Sequence, residues 1–112
     1  MYIYTIDIAH PPMTAQQAEQ ALSETLTMVR SSTEFRVLKV IHGKGTPDRP
    51  AVLKEVVLNW TYKHRNRLRT IIAGENYEII FPETLEMRKE CGQVADQDLG
   101  AGNEGMTIVW IK

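Results

Sequence analysis

The sequence predicts an α/β fold, in the form of an α+β two-layer sandwich with helices packed on one mixed four-stranded sheet. Short runs rich in β-branched and aromatic residues alternate with stretches of helical periodicity. These elements follow one another in the order β-α-β-α-β-(insert)-β, which is typical of helices layered on a sheet. The length of 112 residues suffices for one hydrophobic core and is too short for two. We therefore expect residues 1–112 to form a single domain.

The first two elements are a strand and a capped helix. Residues 2–8 alternate Ile with Tyr, Thr and Asp, which predicts a strand. The segment 9–12, with two prolines, ends it because proline donates no hydrogen bond to a sheet. Thr14 and Gln17 then fit a capping box that opens a helix. Its apolar residues recur every three or four positions and form one stripe, namely Ala15, Ala18, Leu22, Leu26 and Val29.

A second strand and a second helix follow. Residues 35–41 form an apolar run, and with the first strand and helix they predict a parallel β-α-β unit with a right-handed crossover. The second helix is predicted to begin at Thr46 or at Asp48. Thr46 would place Pro47 at the favoured first helical position, whereas Asp48 is the stronger cap. Its predicted buried stripe consists of Val52, Leu53, Val56, Val57 and Trp60.

The remaining residues predict two strands around a polar, acidic insert. Residues 68–73 and 106–111 have the composition of a short strand and a closing strand. The insert covers residues 75–104. Within it, 77–81 fits either a strand or a continuation, 82–91 fits a short helix opened by proline, and the glycine-rich segment 95–105 is expected to be a mobile loop.

Composition indicates an ordinary water-soluble domain. Hydrophobic residues make up 43% of the chain and charged residues 24%, and no apolar run is long enough to cross a bilayer. The first residues lack a basic region, which argues against a signal peptide. Cys91 is the only cysteine, so neither an internal disulfide nor a cysteine-rich zinc site is expected. A cytoplasmic protein is the expectation.

The charges are distributed unevenly along the chain. The net charge is −1, but residues 30–69 carry ten Lys or Arg against three acidic residues, a local excess of +7. The flanking segments are acidic, at −3 for residues 1–29 and −5 for residues 70–112. Because the local field steers an anionic partner more than the net charge does, the central block favours binding to an anion.

An anion site is predicted where the second strand ends, in the stretch Ile41-His-Gly-Lys-Gly45. Backbone N–H groups at a helix N-terminus lack intrahelical partners, and the helix dipole adds positive potential there. Lys44 adds a charge, and His42 can move a proton near neutral pH. The predicted phosphate-binding residues are Gly43, Lys44, Gly45, Arg49, Arg65 and Arg67. Both arginines at the end of the second helix would also suit the helix dipole without any ligand.

With these elements placed, the chain resembles the Smr (small MutS-related) domain family over most of residues 3–73 and 102–111. The stretch 41–45 is similar to the family's His-Gly-x-Gly signature, and residues 102–111 are similar to its glycine-rich turn and last strand. The resemblance implies nucleic acid binding, with endonuclease activity in some members. The plan of helices on a sheet is also similar to that of the C-terminal domain of translation initiation factor 3, although that likeness is architectural only.

The family's second motif, Leu-Asp-x-His, is incomplete here. The matching residues are Ile6-Asp-Ile-Ala9, so Asp7 is kept and Ala9 stands where the family has histidine. His10 lies one position later, and a bulge or the proline turn would be needed to bring it toward the loop. The resemblance makes His42, Asp7 and His10 the candidate catalytic residues. The incomplete motif favours binding without efficient phosphodiester hydrolysis over a competent nuclease.

Two hypotheses about the function remain. In the first, the domain binds RNA or branched DNA through the loop and the basic helix end. In the second, it is an accessory module that docks a protein partner through the acidic insert, with Glu83, Glu86, Glu90, Asp96 and Asp98. One acid and two histidines are too few to predict a metal site, and no cofactor is expected.

Overall fold

The computed structural model describes residues 1–46, 48 and 51–112. It confirms the predicted fold class and order of elements, with a four-stranded sheet in the order β1-β2-β4-β3. Strand β1 pairs with β2 in parallel, and β4 runs antiparallel to both β2 and β3. The elements are β1 (Ile3–Asp7), α1 (Ala15–Ser31), β2 (Val37–Ile41), α2 (Val52–Lys63), β3 (Thr70–Ala73), α3 (Pro82–Cys91) and β4 (Met106–Trp110).

Helix α1 begins at the predicted capping box. The Thr14 hydroxyl accepts a hydrogen bond from the Gln17 amide, and the Gln17 side chain accepts one from the Thr14 amide. Both amides would otherwise lack partners at the helix start. The buried stripe also follows the predicted spacing, and it consists of Ala18, Leu22, Thr25, Leu26 and Val29.

Helix α2 begins later than predicted. Its first residue is Val52, with Ala51 as the N-cap and no side-chain cap, so the prediction of a start at Thr46 or Asp48 was wrong. The sequence offers a reason, since the residue before a proline disfavours helical angles and position 50 is proline. Val52, which was predicted to be buried in the stripe of this helix, is 60% exposed.

The sheet is covered on both faces. Helices α1 and α2 pack on one face around Leu38, Val40 and Val109. Side chains alternate along a strand, so Val37 and Ile108 point the other way, into a second cluster. The insert supplies α3 and Tyr77 to that cluster and so adds a layer to the predicted two. None of the described helices is long and apolar enough to cross a membrane.

The insert is joined to the second face by polar contacts as well. Residues 77–81 form turns rather than a strand, and 82–91 form the predicted helix. In the segment predicted to be a mobile loop, Asp96 and Asp98 accept hydrogen bonds from Lys39 at 2.7 and 2.8 Å. Tyr77 donates its hydroxyl to Asp96 at 3.0 Å. These contacts place the loop against β2, which its composition did not indicate.

Candidate nucleic-acid interface

A cleft lies where both helices begin and where β1 and β2 end. Its volume is about 600 Å³, within the range of small-molecule sites in proteins. The start of α1, the start of α2, the turn after β1 and the loop after β2 all contribute to it. Its lining consists of Ala9, His10, Pro12, Met13, Thr14, Ala15, His42, Gly43, Gly45, Thr46, Ala51, Val52 and Leu53. The structure therefore brings four of the predicted site residues to one cleft, namely His10, His42, Gly43 and Gly45.

His42 lines this cleft, and both of its ring nitrogens are hydrogen-bonded. It is 3% exposed, and its Nδ1 lies 2.7 Å from the Gly43 carbonyl oxygen. A carbonyl only accepts, so Nδ1 carries the proton, and neutral Nε2 accepts from the Thr107 hydroxyl at 2.9 Å. Burial holds the pKa of His42 below its ordinary value, and the charge of Lys54 lowers this pKa further. The hydrogen bond to Gly43 and the charge of Glu75 raise it, but by less. In this geometry neutral His42 has no free nitrogen for proton transfer.

The glycine loop has only part of its backbone available for an anion. The amides of His42 and Gly43 both donate to the Gly105 carbonyl at 2.9 Å. The amides of Lys44 and Gly45 make no hydrogen bond to any other described residue. Gly43 and Gly45 have φ of 78° and 73°, a region that favours glycine. Lys44 and Gly45 therefore offer the backbone donors that remain, and the exposed Lys44 side chain offers a charge.

Asp7 and His10 form a pair at the end of β1. His10 Nδ1 lies 2.9 Å from Asp7 Oδ2, and the amides of Ala9 and His10 donate to Asp7 Oδ1. Partial burial would raise the pKa of Asp7, but these hydrogen bonds hold it below its ordinary value, so the carboxylate is ionised. An ionised carboxylate accepts from Nδ1–H, which leaves Nε2 of His10 without a hydrogen-bond partner among the described residues.

Position 9 faces the glycine loop. A Cβ added to Gly43 would lie 3.9 Å from the Ala9 Cβ, so the two backbones pass close together. A histidine at this position would therefore have its ring next to the loop. The next residue, His10, lines the same cleft as Gly43 and Gly45, and it lies in the turn in which Ala9 bridges to Pro12. Sequence alone left open whether this turn would bring His10 toward the glycine loop.

The cations predicted to bind phosphate do not all lie at the cleft. Arg65 and Arg67 follow the C-terminus of α2, and a helix of 12 residues separates them from the cleft by about 18 Å. Arg65 stacks on the Tyr62 ring at 4.1 Å. Arg49 lies outside the described residues. Lys54 was not predicted as a site residue. It lies in the first turn of α2, and its charge lowers the pKa of His42. The sequence did not indicate this because the position of Lys54 depends on where α2 starts.

Part of the central positive block is neutralised inside the domain. Arg69 forms a two-point contact with Glu90 at 2.6 and 2.8 Å, and Arg36 also reaches Glu90. Lys39 is bound by Asp96 and Asp98. Three of the ten basic residues therefore hold the insert against the sheet. Three of the five acids predicted to dock a partner are used in these contacts.

Comparison with known proteins identifies the family. The family model of the Smr domain matches residues 11–112. The chain belongs to the Smr domain family. The crystal structure of the Smr domain of Thermus thermophilus MutS2 is similar, with a TM-score of 0.57 and 15% sequence identity, over 100% of this chain and 99% of that one. No curated protein matches the sequence.

Smr domains generally bind nucleic acid, and some members have nuclease activity. The match to the family model begins at residue 11, so it does not include Asp7, Ala9 or His10. Across residues 1–46, 48 and 51–112, no three His, Cys, Asp or Glu side chains converge as a metal-binding group.

Proposed function

We propose that this Smr domain binds the phosphate backbone of RNA or branched DNA at the cleft between the starts of α1 and α2. The supporting observation is that His10, Gly43 and Gly45 line one opening. On the same loop the Lys44 and Gly45 amides make no hydrogen bond to another described residue, and the Lys44 side chain is exposed. The first turn of α2 has no side-chain cap, so its N–H groups add positive potential beside the loop.

The proposed role of His42 is to shape the loop. Its ring holds the Gly43 carbonyl on one side and the Thr107 hydroxyl on the other. Loss of this ring would remove the side-chain contact between the loop and Thr107 on β4, and the amides that receive the phosphate would then shift. His42 is therefore a positioning residue in this proposal.

Proton transfer in any phosphodiester hydrolysis is assigned to His10. Its free Nε2 could accept or donate a proton, while Asp7 fixes the orientation of the ring. His10 is the only imidazole with a free nitrogen among the described residues that line the cleft. A single proton-transfer group and a missing histidine at position 9 fit binding with slow hydrolysis.

Binding is tested by fluorescence anisotropy with labelled single-stranded RNA and with a DNA four-way junction. Lys44→Gln and Lys54→Gln should each weaken binding and reduce the slope of log K against log salt by about one. Lys89→Gln is the matched control, because Lys89 is an exposed cation on α3, away from the cleft. No binding of either ligand at low salt would contradict the proposal.

Hydrolysis is tested by denaturing gels with the same ligands. His10→Gln should abolish residual cleavage and leave binding within about threefold, since a lost acid–base group affects the chemical step by about 10²–10⁴. Ala9→His should raise cleavage, because it places a second imidazole beside Gly43. Cleavage that survives His10→Gln unchanged would remove His10 from the mechanism.

Docking of a protein partner is a second candidate function. Ile79 and Ile80 are 60% and 85% exposed on the turn before α3, next to Glu78 and Glu83. Exposed neighbouring apolar residues favour a contact surface. Deleting the insert is an unsuitable test, since it would leave Lys39 buried without its acids. Ile80→Glu should abolish capture of a partner and leave nucleic acid affinity unchanged; the opposite result would exclude this surface.

A further inference from the structure

We infer that the cleft takes one unpaired nucleobase of a single strand whose phosphate lies on the glycine loop. This inference rests on the proposed function and names the form of nucleic acid that the site selects. A duplex keeps its bases stacked and paired, so it could bind here only through its backbone. The selected ligand is therefore single-stranded, or has an unpaired nucleotide at a junction or loop.

The walls of the cleft are apolar and come from two helices. Met13 and Ala15 lie at the start of α1, and Val52 and Leu53 lie in the first turn of α2. Met13 and Leu53 also pack against the core, so they are held in place. Val52 is 60% exposed. Apolar side chains that remain open to solvent at the mouth of a cleft are suited to cover the flat faces of a base.

Polar residues line the cleft together with the apolar ones. His10, Thr14 and Thr46 line the same cleft as the apolar walls. A nucleobase has apolar faces and hydrogen-bonding edges, which matches this distribution. The volume of about 600 Å³ accommodates a base with its sugar.

The position of the glycine loop beside the cleft indicates which kind of ligand the cleft binds. Gly43 and Gly45 line the cleft, and the Lys44 amide and ammonium lie on the same loop. A phosphate held there would be directly next to the apolar walls, and within a nucleotide the base lies one sugar away from its phosphate. A free apolar ligand or a peptide side chain would use the walls and leave the cationic loop unused.

The test compares intact and abasic strands of the same length and charge. Fluorescence anisotropy is measured with labelled single strands of about 12 nucleotides, oligothymidylate DNA and oligouridylate RNA, and with the fully abasic versions of both. We expect the abasic strand to bind about tenfold more weakly than the intact strand. This comparison is made with DNA or RNA, whichever of the two intact strands binds more tightly. The salt slope should be the same for both strands, because the phosphate contacts are the same.

Two variants localise the effect. Ala15→Leu fills the cleft at an exposed first-turn position, where leucine is compatible with a helix, and it should remove the difference between intact and abasic strands. Gln16→Leu is the matched control, since Gln16 is exposed and does not line the cleft; it should keep the difference. Thermal unfolding checks that both variants fold.

Each outcome is decisive. Equal affinity for intact and abasic strands overturns the inference and leaves backbone binding intact. Equal effects of Ala15→Leu and Gln16→Leu, or duplex affinity as high as that of the single strand, also overturn it. If no strand binds at low salt, the proposed function fails, and this inference fails with it.

Discussion

Removing the buried ammonium of Lys39 should destabilise the domain strongly. The Lys39 side chain is 8% exposed and lies 2.7 and 2.8 Å from the carboxylates of Asp96 and Asp98, which are 6% and 17% exposed. Lys39→Met keeps a similar unbranched chain and leaves both carboxylates without their cationic partner. Loss of one partner of a buried ion pair costs about 3–5 kcal/mol. For a domain of this size about 1 kcal/mol corresponds to about 4 °C, so Tm should fall by about 12–20 °C.

The assay is thermal and urea unfolding followed by circular dichroism, with Lys63→Met as the matched control. Lys63 pairs with Glu19 on the surface at 3.4 Å, with exposures of 63% and 43%. Exposed pairs contribute about 0–1 kcal/mol, so the same substitution should lower Tm by less than about 4 °C. Equal effects of the two variants would refute the reasoning that Lys39 is desolvated and paired.

The pH dependence provides a second readout of this contact. Burial would raise the pKa of Asp96, but hydrogen bonds from Lys39 and from the Asp98 amide bring it below its ordinary value of 3.8. The contribution to stability is therefore present above about pH 3.8 and is lost as pH falls toward the folded pKa. Lys39→Met should weaken this acid dependence. An unchanged acid profile in the variant would contradict the assignment.

Three further predictions concern single positions. Burial holds the pKa of His42 below its ordinary value of 6.5, so Tm should fall as pH drops below about 6.5, and His42→Gln should flatten that profile; a flat wild-type profile would contradict it. A Cβ at Gly74 would lie 1.8 Å from the Asn103 carbonyl oxygen, so Gly74→Ala should cost about 2–3 kcal/mol in urea unfolding, and a neutral result would mean that the loop can move away. Thr14→Ala removes the α1 cap and should cost about 1 kcal/mol, measured the same way; Thr27→Ala, in the exposed middle of α1, is the control and should be nearly neutral.

Local sequence patterns were sufficient for most of the fold. The capping box at Thr14, the stripe through Leu22 and Val29, and the alternation before Ile8 are signals within a few residues of one another. They predicted each element because helix and strand periodicity depends on near neighbours. The start of α2 was misplaced because two cap residues and two prolines compete within residues 46–50, and local preference alone did not separate them.

The candidate site depended more on contacts between distant residues. The sequence indicated the glycine loop and Lys44 as chemistry-bearing groups, and the family resemblance added Asp7 and His10. It did not show that Gly105 takes up two loop amides, because no local pattern links positions more than 60 residues apart. The separation of Arg65 from the cleft also follows from the length and direction of α2, which charge counting does not include.

The sequence by itself determined the elements, their order and the residue types available for binding an anion. Only the tertiary structure decided which of those groups are available to a ligand. The Gly43 carbonyl and Thr107 on β4 occupied the two nitrogens of His42, and the turn after β1 oriented His10 on Asp7 and left one nitrogen free. The physical reason is that a polar group in a folded chain either binds another part of the protein or remains open to a ligand. That choice is made by residues that meet only after folding.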